Sequence, residues 1–282
     1  MDRAIPLVFV VLWSTGFIGS KLGIPHIEPI TFLVVRFAIV VPIFLLWAWL
    51  AKAPWPARDR WGHVAVVGVL LHGFYLGGVF VSISWGLPAG LSALIVGAQP
   101  LLTAAMVGKL TGEKVSARQW LGLALGFAGV AAVLWEKLGF EAVPLAAVWP
   151  SVVGLLGITF GTLYQQRHGG GVHLATGGVI QYAAVLVALI PLMLAFETME
   201  IDWAPELVFA MGWLVLVLSV GAVSLLMLLA RRGAAAKTAS LFYLVPPCTA
   251  AVAWPLFGET LGLLAALGMA VTALGVYLVR KS

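Results

Sequence analysis

The chain has 282 residues, of which 62% are hydrophobic and only 10% are charged. Soluble domains contain roughly 45–50% apolar and about 25% charged residues, so this composition excludes an ordinary soluble domain and indicates an integral membrane protein. The net charge of +5 does not indicate a nucleic-acid partner, because the basic residues lie between apolar runs and form no basic stripe beside aromatic residues.

Ten apolar runs are long enough to cross a bilayer as helices, which takes roughly 17–25 residues. In chain order the predicted spans are Ala4–Leu22, Ile30–Leu50, Gly62–Trp85, Ala89–Leu110, Trp120–Trp135, Leu145–Gln165, Leu174–Phe196, Glu206–Leu229, Ala235–Phe257 and Leu261–Val279. Helices are expected because the runs lack the alternating pattern of barrel strands. No small-residue cleavage site follows the first run, so we expect a retained span and not a signal peptide.

The distribution of lysine and arginine predicts the orientation. With both termini inside, thirteen basic residues fall on the cytoplasmic side: Arg3, Lys52, Arg58, Arg60, Lys109, Lys114, Arg118, Arg167, Arg231, Arg232, Lys237, Arg280 and Lys281. Only Lys21 and Lys137 fall outside, and Arg36 lies within the second span. Cytoplasmic loops carry the excess of basic residues, so the sequence predicts a multi-pass protein of the bacterial inner membrane with both termini in the cytoplasm.

The two halves of the chain repeat each other. Shifting the numbering by 146 aligns Pro100 with Pro246 and Gly112-Glu113 with Gly258-Glu259, without a gap. The repeat predicts two units, residues 1–139 and 140–282, with five spans each. Because five is an odd number, the two units cross the membrane in opposite senses. We therefore expect an inverted-topology repeat of all-α structure with the first Gly-Glu turn inside and the second outside.

These motifs resemble a known family. The pattern Ala89-Gly90-Leu91-Ser92-Ala93-Leu94 through Pro100, followed by Gly112-Glu113, resembles the EamA-type module of the drug/metabolite transporter superfamily, and a second copy begins at Ala235. Trp13-Ser14-Thr15-Gly16-Phe17 and Arg36-Phe37 are similar to the opening of the first copy. The resemblance implies a ten-helix export carrier with a central cavity between the halves, most similar to the amino-acid exporters of the YddG type.

Arg36 lies inside the second predicted span, about 10 Å from its start at helical rise. Charged groups in the membrane are costly and often functional. Two interpretations of Arg36 stay open: a partner for a substrate carboxylate, or a structural donor to helix-end carbonyls.

Other polar and aromatic residues within the spans are candidates to line a cavity and bind substrate. They are Trp13, Ser14, Phe17, His72, Tyr75, Gln99, Tyr164, Gln181 and Tyr182. His72 and Tyr75 are three residues apart and so share a helix face. Alternative roles are also open, because amides and histidines often tie membrane helices together and aromatic residues near span ends often anchor the interface.

Pro100 and Pro246 each remove one backbone hydrogen bond at equivalent depth in the two halves. We interpret them as kinks that shape the cavity and hinge a gate, with simple structural bends as the alternative. The glycine pairs Gly73/Gly77, Gly122/Gly126 and Gly157/Gly161 are expected to allow close helix packing.

The absence of some residues narrows the substrate. None of the eleven acidic residues lies in the middle of a span, which disfavours organic cations as main substrates. Phosphorylated substrates would need several basic residues around the cavity, and only Arg36 is available. The remaining class is neutral or zwitterionic metabolites, and amino acids fit it. Export of a nucleoside or an organic cation, and a channel or scaffold, are the alternatives.

An enzyme is disfavoured because the five histidines are scattered and no two carboxylates share a span. They are His26, His63, His72, His168 and His173. The single cysteine, Cys248, gives no CxxC motif. We expect no metal site and no cofactor. The expected partners are a small-molecule substrate and the lipid bilayer, with a monomer as the working unit.

Overall fold

The computed structural model describes residues 4–87, 89–111, 114–135, 144–232, 235–257 and 262–281, which form ten helical segments. They are α1 (Ala4–Gly23), α2 (Pro29–Leu50), α3 (Arg58–Gly68, Val69–Gly77 and Gly78–Ser84), α4 (Ala89–Val96 and Gln99–Thr111), α5 (Ala117–Leu134), α6 (Leu145–His168), α7 (Leu174–Phe196), α8 (Pro205–Trp213, Leu214–Ala222 and Val223–Arg232), α9 (Ala235–Ala239, Ser240–Leu244 and Val245–Phe257) and α10 (Leu263–Lys281). In these ranges the only β pairing is one bridge between Ile27 and Ile201. The prediction of an all-helical fold is confirmed.

Most segments qualify as spans by length and composition. Eight helices are long and apolar enough to cross a membrane, and α1 contains a shorter apolar stretch. The bounds of α7 agree with the predicted ones, whereas α5 begins three residues before the predicted Trp120. A capping box explains the difference: the Gln119 backbone N–H donates to the Ser116 hydroxyl, and the Gln119 side chain accepts from the Ser116 N–H. This capped turn extends the helix to Ala117.

Four helices depart from regular α geometry, in two matching pairs. α3 and α8 each contain a nine-residue π-helical segment, Val69–Gly77 and Leu214–Ala222. α4 is interrupted by a turn at Gly97-Ala98, and α9 by the 3₁₀ segment Ser240–Leu244. Such interruptions often mark functional sites or hinges. The irregular geometry therefore occurs at corresponding places in the two halves.

Pro100 and Pro246 do more than kink their helices. Each is the second residue of the helix that follows an interruption, in Gln99–Thr111 and Val245–Phe257. Proline is favoured in the first turn of a helix. N–H groups in that turn have no intrahelical acceptor, so a residue without an N–H loses no hydrogen bond there. In this structure both prolines therefore restart a helix after a break, which is a sharper change than the predicted bend.

The helices pair in a pattern that is symmetric between the halves. α1 packs on α8 and α9, and α6 packs in the same way on α3 and α4. α2 packs on α7, and α5 packs on α10. A two-fold relation between helices α1–α5 and α6–α10 would produce this pairing. The boundary at residue 139 and both Gly-Glu turns lie outside the described residues, so the division into 1–139 and 140–282 stays a prediction.

α5 and α10 approach each other through glycines. A Cβ atom added to Gly122 would lie 2.6 Å from the Gly275 carbonyl oxygen, and one added to Gly129 would lie 2.6 Å from the Gly268 carbonyl oxygen. Only glycine permits such backbone contact between membrane helices. The expected packing role holds for Gly122, whereas a Cβ at Gly77 would have no neighbour within 4 Å.

α2 and α7 are held together at both ends. At one end the Glu197 carboxylate accepts from the N–H groups of Ile30 and Thr31, at 2.7 and 2.6 Å, and so caps α2. At the other end the Thr176 hydroxyl of α7 donates to the Pro54 carbonyl oxygen just after α2, at 3.0 Å. These two contacts fix α2, which carries Arg36. The Arg60 guanidinium of α3 donates to the carbonyl oxygens of His168 and Gly170 at the end of α6, at 2.7 and 2.6 Å, and satisfies helix-end groups that have no intrahelical partners.

Candidate functional site

A cavity of about 70 Å³ lies between α1, α2 and α3 on one side and α6 and α8 on the other. A buried water needs about 10–15 Å³ of such space, so the cavity has room for about five waters. Its walls are mainly leucine, isoleucine, valine and phenylalanine side chains of α3, α6 and α8. Four other side chains with polar groups line it: Trp13, Arg36, His72 and Tyr75.

Arg36 is a buried cation without an acidic partner. Its side chain is 4% exposed, and its Nε donates to the Ser219 hydroxyl at 3.0 Å. Within the described part of the chain, its two terminal nitrogens have no hydrogen-bond acceptor and no carboxylate pairs with it. A guanidinium presents its donors as a planar fork that matches a carboxylate. The free end of Arg36 can therefore bind an anionic group in the cavity.

His72 packs against two residues of α7. Its ring stacks on Tyr182 with centroids 4.4 Å apart, and the Gln181 side chain lies beside it. Tyr182 in turn donates to the Ser219 carbonyl oxygen at 3.1 Å. The Nε2 atom of His72 has no partner among the described residues. His72 thus borders the cavity and has one buried ring nitrogen that is unpaired among the described residues.

Gln181 and Tyr182 do not line this cavity, although both were predicted to contact substrate. They lie behind His72 and border a separate pocket of about 10 Å³. Burial of a polar side chain is costly unless it is hydrogen-bonded, and here Gln181 has the Met227 sulfur as its partner and Tyr182 has the Ser219 carbonyl oxygen. In this structure they pack against His72 and do not border the first cavity.

Trp13 and Tyr75 lie beside each other in the wall of the cavity. Trp13 also packs edge-on against Phe242 of α9, with ring centroids 5.3 Å apart. Behind this pair lies a second cavity of about 40 Å³, which Gln99 borders. The predictions for Trp13, Tyr75 and Gln99 therefore agree with their places beside internal space.

The remaining candidates lie elsewhere. Ser14 is fully buried and donates to the carbonyl oxygens of Val10 and Val245, so it ties α1 to α9. Tyr164 lies near the end of α6, where its hydroxyl is 2.6 Å from His63 Nδ1. The Phe17 side chain lies outside the described part of the structure. Ser14 and Tyr164 border neither cavity and have local partners instead.

Two residues that the sequence analysis missed belong to the site. Ser219 supports Arg36 with its hydroxyl and accepts from Tyr182 with its carbonyl, within the π-helical segment of α8. Phe242 borders the second cavity from the 3₁₀ segment of α9. The sequence could have indicated Ser219, because it is a polar residue in an apolar run. Nothing in the sequence distinguishes Phe242 from the other thirteen phenylalanines of the chain.

Ten described helical segments around a cavity with a buried cation are typical of a membrane transporter of small molecules. Residues 4–135 match the sequence profile of the EamA-like transporter family. The protein is a membrane transporter, similar over this part to the EamA type, and a multi-pass protein of the inner membrane.

Several known proteins are similar over most of the chain. An uncharacterized inner membrane transporter, YedA, of Escherichia coli K12 is 27% identical over 269 residues, which are 95% of this chain and 87% of YedA. A probable amino-acid metabolite efflux pump of the same organism is 25% identical over 59% of this chain and 54% of its own length. A solved structure, titled only as the crystal structure of a protein, has a TM-score of 0.81 at 16% identity and covers 98% of this chain and 96% of its own. The last similarity concerns the fold alone.

Proposed function

We propose that this protein exports amino acids and related small metabolites by alternating access, with larger neutral and aromatic ones among its substrates. The observation that carries the proposal is the free guanidinium end of Arg36, which is buried beside the cavity and has no acidic partner in the described residues. An unpaired buried charge is unfavourable, so a substrate carboxylate would complete the site. An aliphatic and aromatic wall then suits the apolar part of the same molecule.

His72 can recognise the other charge of an amino acid. The side-chain nitrogen of Gln181 is directed to the Met227 sulfur at 3.9 Å, so its oxygen is the group that can accept from the neighbouring His72 Nδ1. A neutral imidazole that donates from Nδ1 carries a lone pair on Nε2. That atom has no partner among the described residues, so it can accept a hydrogen bond from a substrate ammonium group. Arg36 and His72 together would orient a zwitterion.

The relatives support the same class of substrate. One of them is named a probable amino-acid metabolite efflux pump, and no carboxylate of the described residues borders either cavity to bind an organic cation. Export follows from that relative and from the EamA-type resemblance. We place both termini in the cytoplasm and the two repeats at 1–139 and 140–282, on the charge distribution and on the symmetric helix pairing.

Counterflow in proteoliposomes tests the proposal. Vesicles loaded with unlabelled phenylalanine, leucine or alanine should accumulate the labelled amino acid, because a carrier exchanges substrate across the membrane. Phenethylamine and phenylalanine methyl ester should compete at least tenfold less well than phenylalanine, since both lack the carboxylate. Equal competition by the amine would exclude Arg36 as the recognition group. Leakage of label without exchange would indicate a channel, and exchange of nucleosides or cations alone would support the alternative substrates.

A further inference from the structure

The second cavity lies between the two interrupted helices. It has a volume of about 40 Å³, room for about three waters, and is bordered by Ala93, Val96 and Gly97 of α4 and by Phe242 and Val245 of α9. It thus contacts the last residues of Ala89–Val96 on one side and the 3₁₀ segment Ser240–Leu244 on the other. Its lining is mostly apolar.

Discontinuous helices commonly form the binding sites of transporters built from inverted repeats, close to the middle of the membrane. Here the two interruptions lie at corresponding places in the repeats. The helices that follow them, Gln99–Thr111 and Val245–Phe257, have the same length, and the shift of 146 that aligns the two halves also aligns these helices. Both interruptions meet at this cavity. Its place between them indicates a substrate-binding role.

The two cavities share one wall. Trp13, Tyr75, Val79 and Ile158 border both of them. Trp13 and Tyr75, which lie beside each other, are the two aromatic residues of this partition. A change in the rotamer of one of these two rings would connect the Arg36 cavity with the space between the interrupted helices.

We propose that the second cavity is the subsite for the side chain of the amino acid whose carboxylate binds Arg36, with the Trp13–Tyr75 pair as the partition that moves aside. This rests on the proposed function. Ala93, Val96, Phe242 and Val245 supply apolar contact for an aliphatic or aromatic side chain. Small amino acids such as alanine would occupy the Arg36 cavity alone, so the partition separates large from small substrates.

The side-chain oxygen of Gln99, a residue that borders this subsite, has no hydrogen-bond partner among the described residues. The Gln99 side-chain nitrogen donates to the hydroxyls of Thr103 and Thr162, at 3.0 and 3.4 Å. A buried acceptor without a donor is unfavourable. A side chain that ends in an N–H or O–H group, as in tryptophan or tyrosine, would satisfy it.

Thiol protection tests the subsite separately from the function. Cys248 is the single cysteine of the chain, so a Cys248→Ser background accepts one reporter at a time. Leu76 borders only the first cavity and Val96 only the second. In detergent, phenylalanine and alanine should both slow the reaction of Leu76→Cys with N-ethylmaleimide. Only phenylalanine should slow the reaction of Val96→Cys, by about tenfold at saturation.

A filling variant provides the second measurement. Ala93→Leu narrows the second cavity, whereas Ala38→Leu adds the same atoms on an exposed face of α2. Ala93→Leu should lower phenylalanine counterflow at least tenfold and alanine counterflow less than twofold, since a pocket discriminates by such factors. The Ala38→Leu variant should change neither rate.

The outcomes separate the two proposals. If alanine protects Val96→Cys as well as phenylalanine does, or if Ala93→Leu slows both substrates equally, the side-chain subsite is wrong while amino-acid transport stands. If no amino acid protects Leu76→Cys, the proposed function itself fails, and the subsite fails with it.

Discussion

Replacing Arg36 by glutamine should weaken substrate binding without weakening the fold. Two charge-assisted hydrogen bonds to a carboxylate are each worth about 1.5–3 kcal/mol, so the loss should be about 3–6 kcal/mol, or roughly 10²- to 10⁴-fold in affinity. Among the described residues the buried guanidinium has one hydrogen bond, to Ser219. Removing an unpaired buried charge relieves a desolvation cost, so the melting temperature of Arg36→Gln should stay the same or rise.

Arg60 is the matched control. Its guanidinium donates to the carbonyl oxygens of His168 and Gly170, outside both cavities. Arg60→Gln should lower stability by about 1–2 kcal/mol, because two helix-end acceptors lose a donor, and should leave the affinity for phenylalanine unchanged. Thermal unfolding and substrate protection of Leu76→Cys measure the two effects on the same purified proteins. An Arg36→Gln protein that binds normally but melts earlier would show that Arg36 is structural and would refute the reasoning.

Two further predictions concern topology and packing. In intact cells, cysteines at Arg58 and Arg232 should resist an impermeant thiol reagent added outside, and a cysteine at Asp202 should react, since basic residues mark the cytoplasmic side; the opposite pattern would overturn the orientation. Gly129→Leu should destabilise the α5–α10 contact by at least about 1–3 kcal/mol, because its Cβ would lie 2.6 Å from the Gly268 carbonyl oxygen. Gly212→Leu, where a Cβ meets nothing within 4 Å, should unfold at the same temperature as the unsubstituted protein, and equal melting of both variants would contradict the packing role.

The membrane spans were predictable because composition and length determine them. The apolar run Leu174–Phe196 was predicted with the bounds of α7, because glycines and His173 precede it and Glu197 follows it. The interruptions of α4 and α9 were not predictable from proline alone. Pro42, Pro150 and Pro191 all lie inside continuous helices, because neighbouring helices can compensate for the missing hydrogen bond.

The candidate site was only partly predictable, because a polar residue in a span has two ways to meet its hydrogen-bonding needs. Arg36, His72 and Tyr75 face the cavity, whereas Ser14 and Tyr182 are satisfied by backbone carbonyls of neighbouring helices. The cost of burying a polar side chain made all of them candidates, and it is the same for both groups. Which way a side chain points depends on helix rotation, and a π-helical segment changes that rotation within a span.

The two halves contribute unequally to the site although their helices correspond. Arg36 lies seven residues after the first residue of α2, and Gln181 lies seven residues after the first of α7. The next residues, Phe37 and Tyr182, pack against each other with their ring centroids 5.3 Å apart.

The second copy thus replaces the cation with an amide and adds a hydroxyl to the ring. That hydroxyl donates to the carbonyl oxygen of Ser219, whose own hydroxyl supports Arg36, and the amide lies beside His72. A second arginine at the equivalent position would be another buried charge without a partner. A substrate with one carboxylate can neutralise only one cation, so divergence of the repeat into one charged and one supporting copy suits an amino acid.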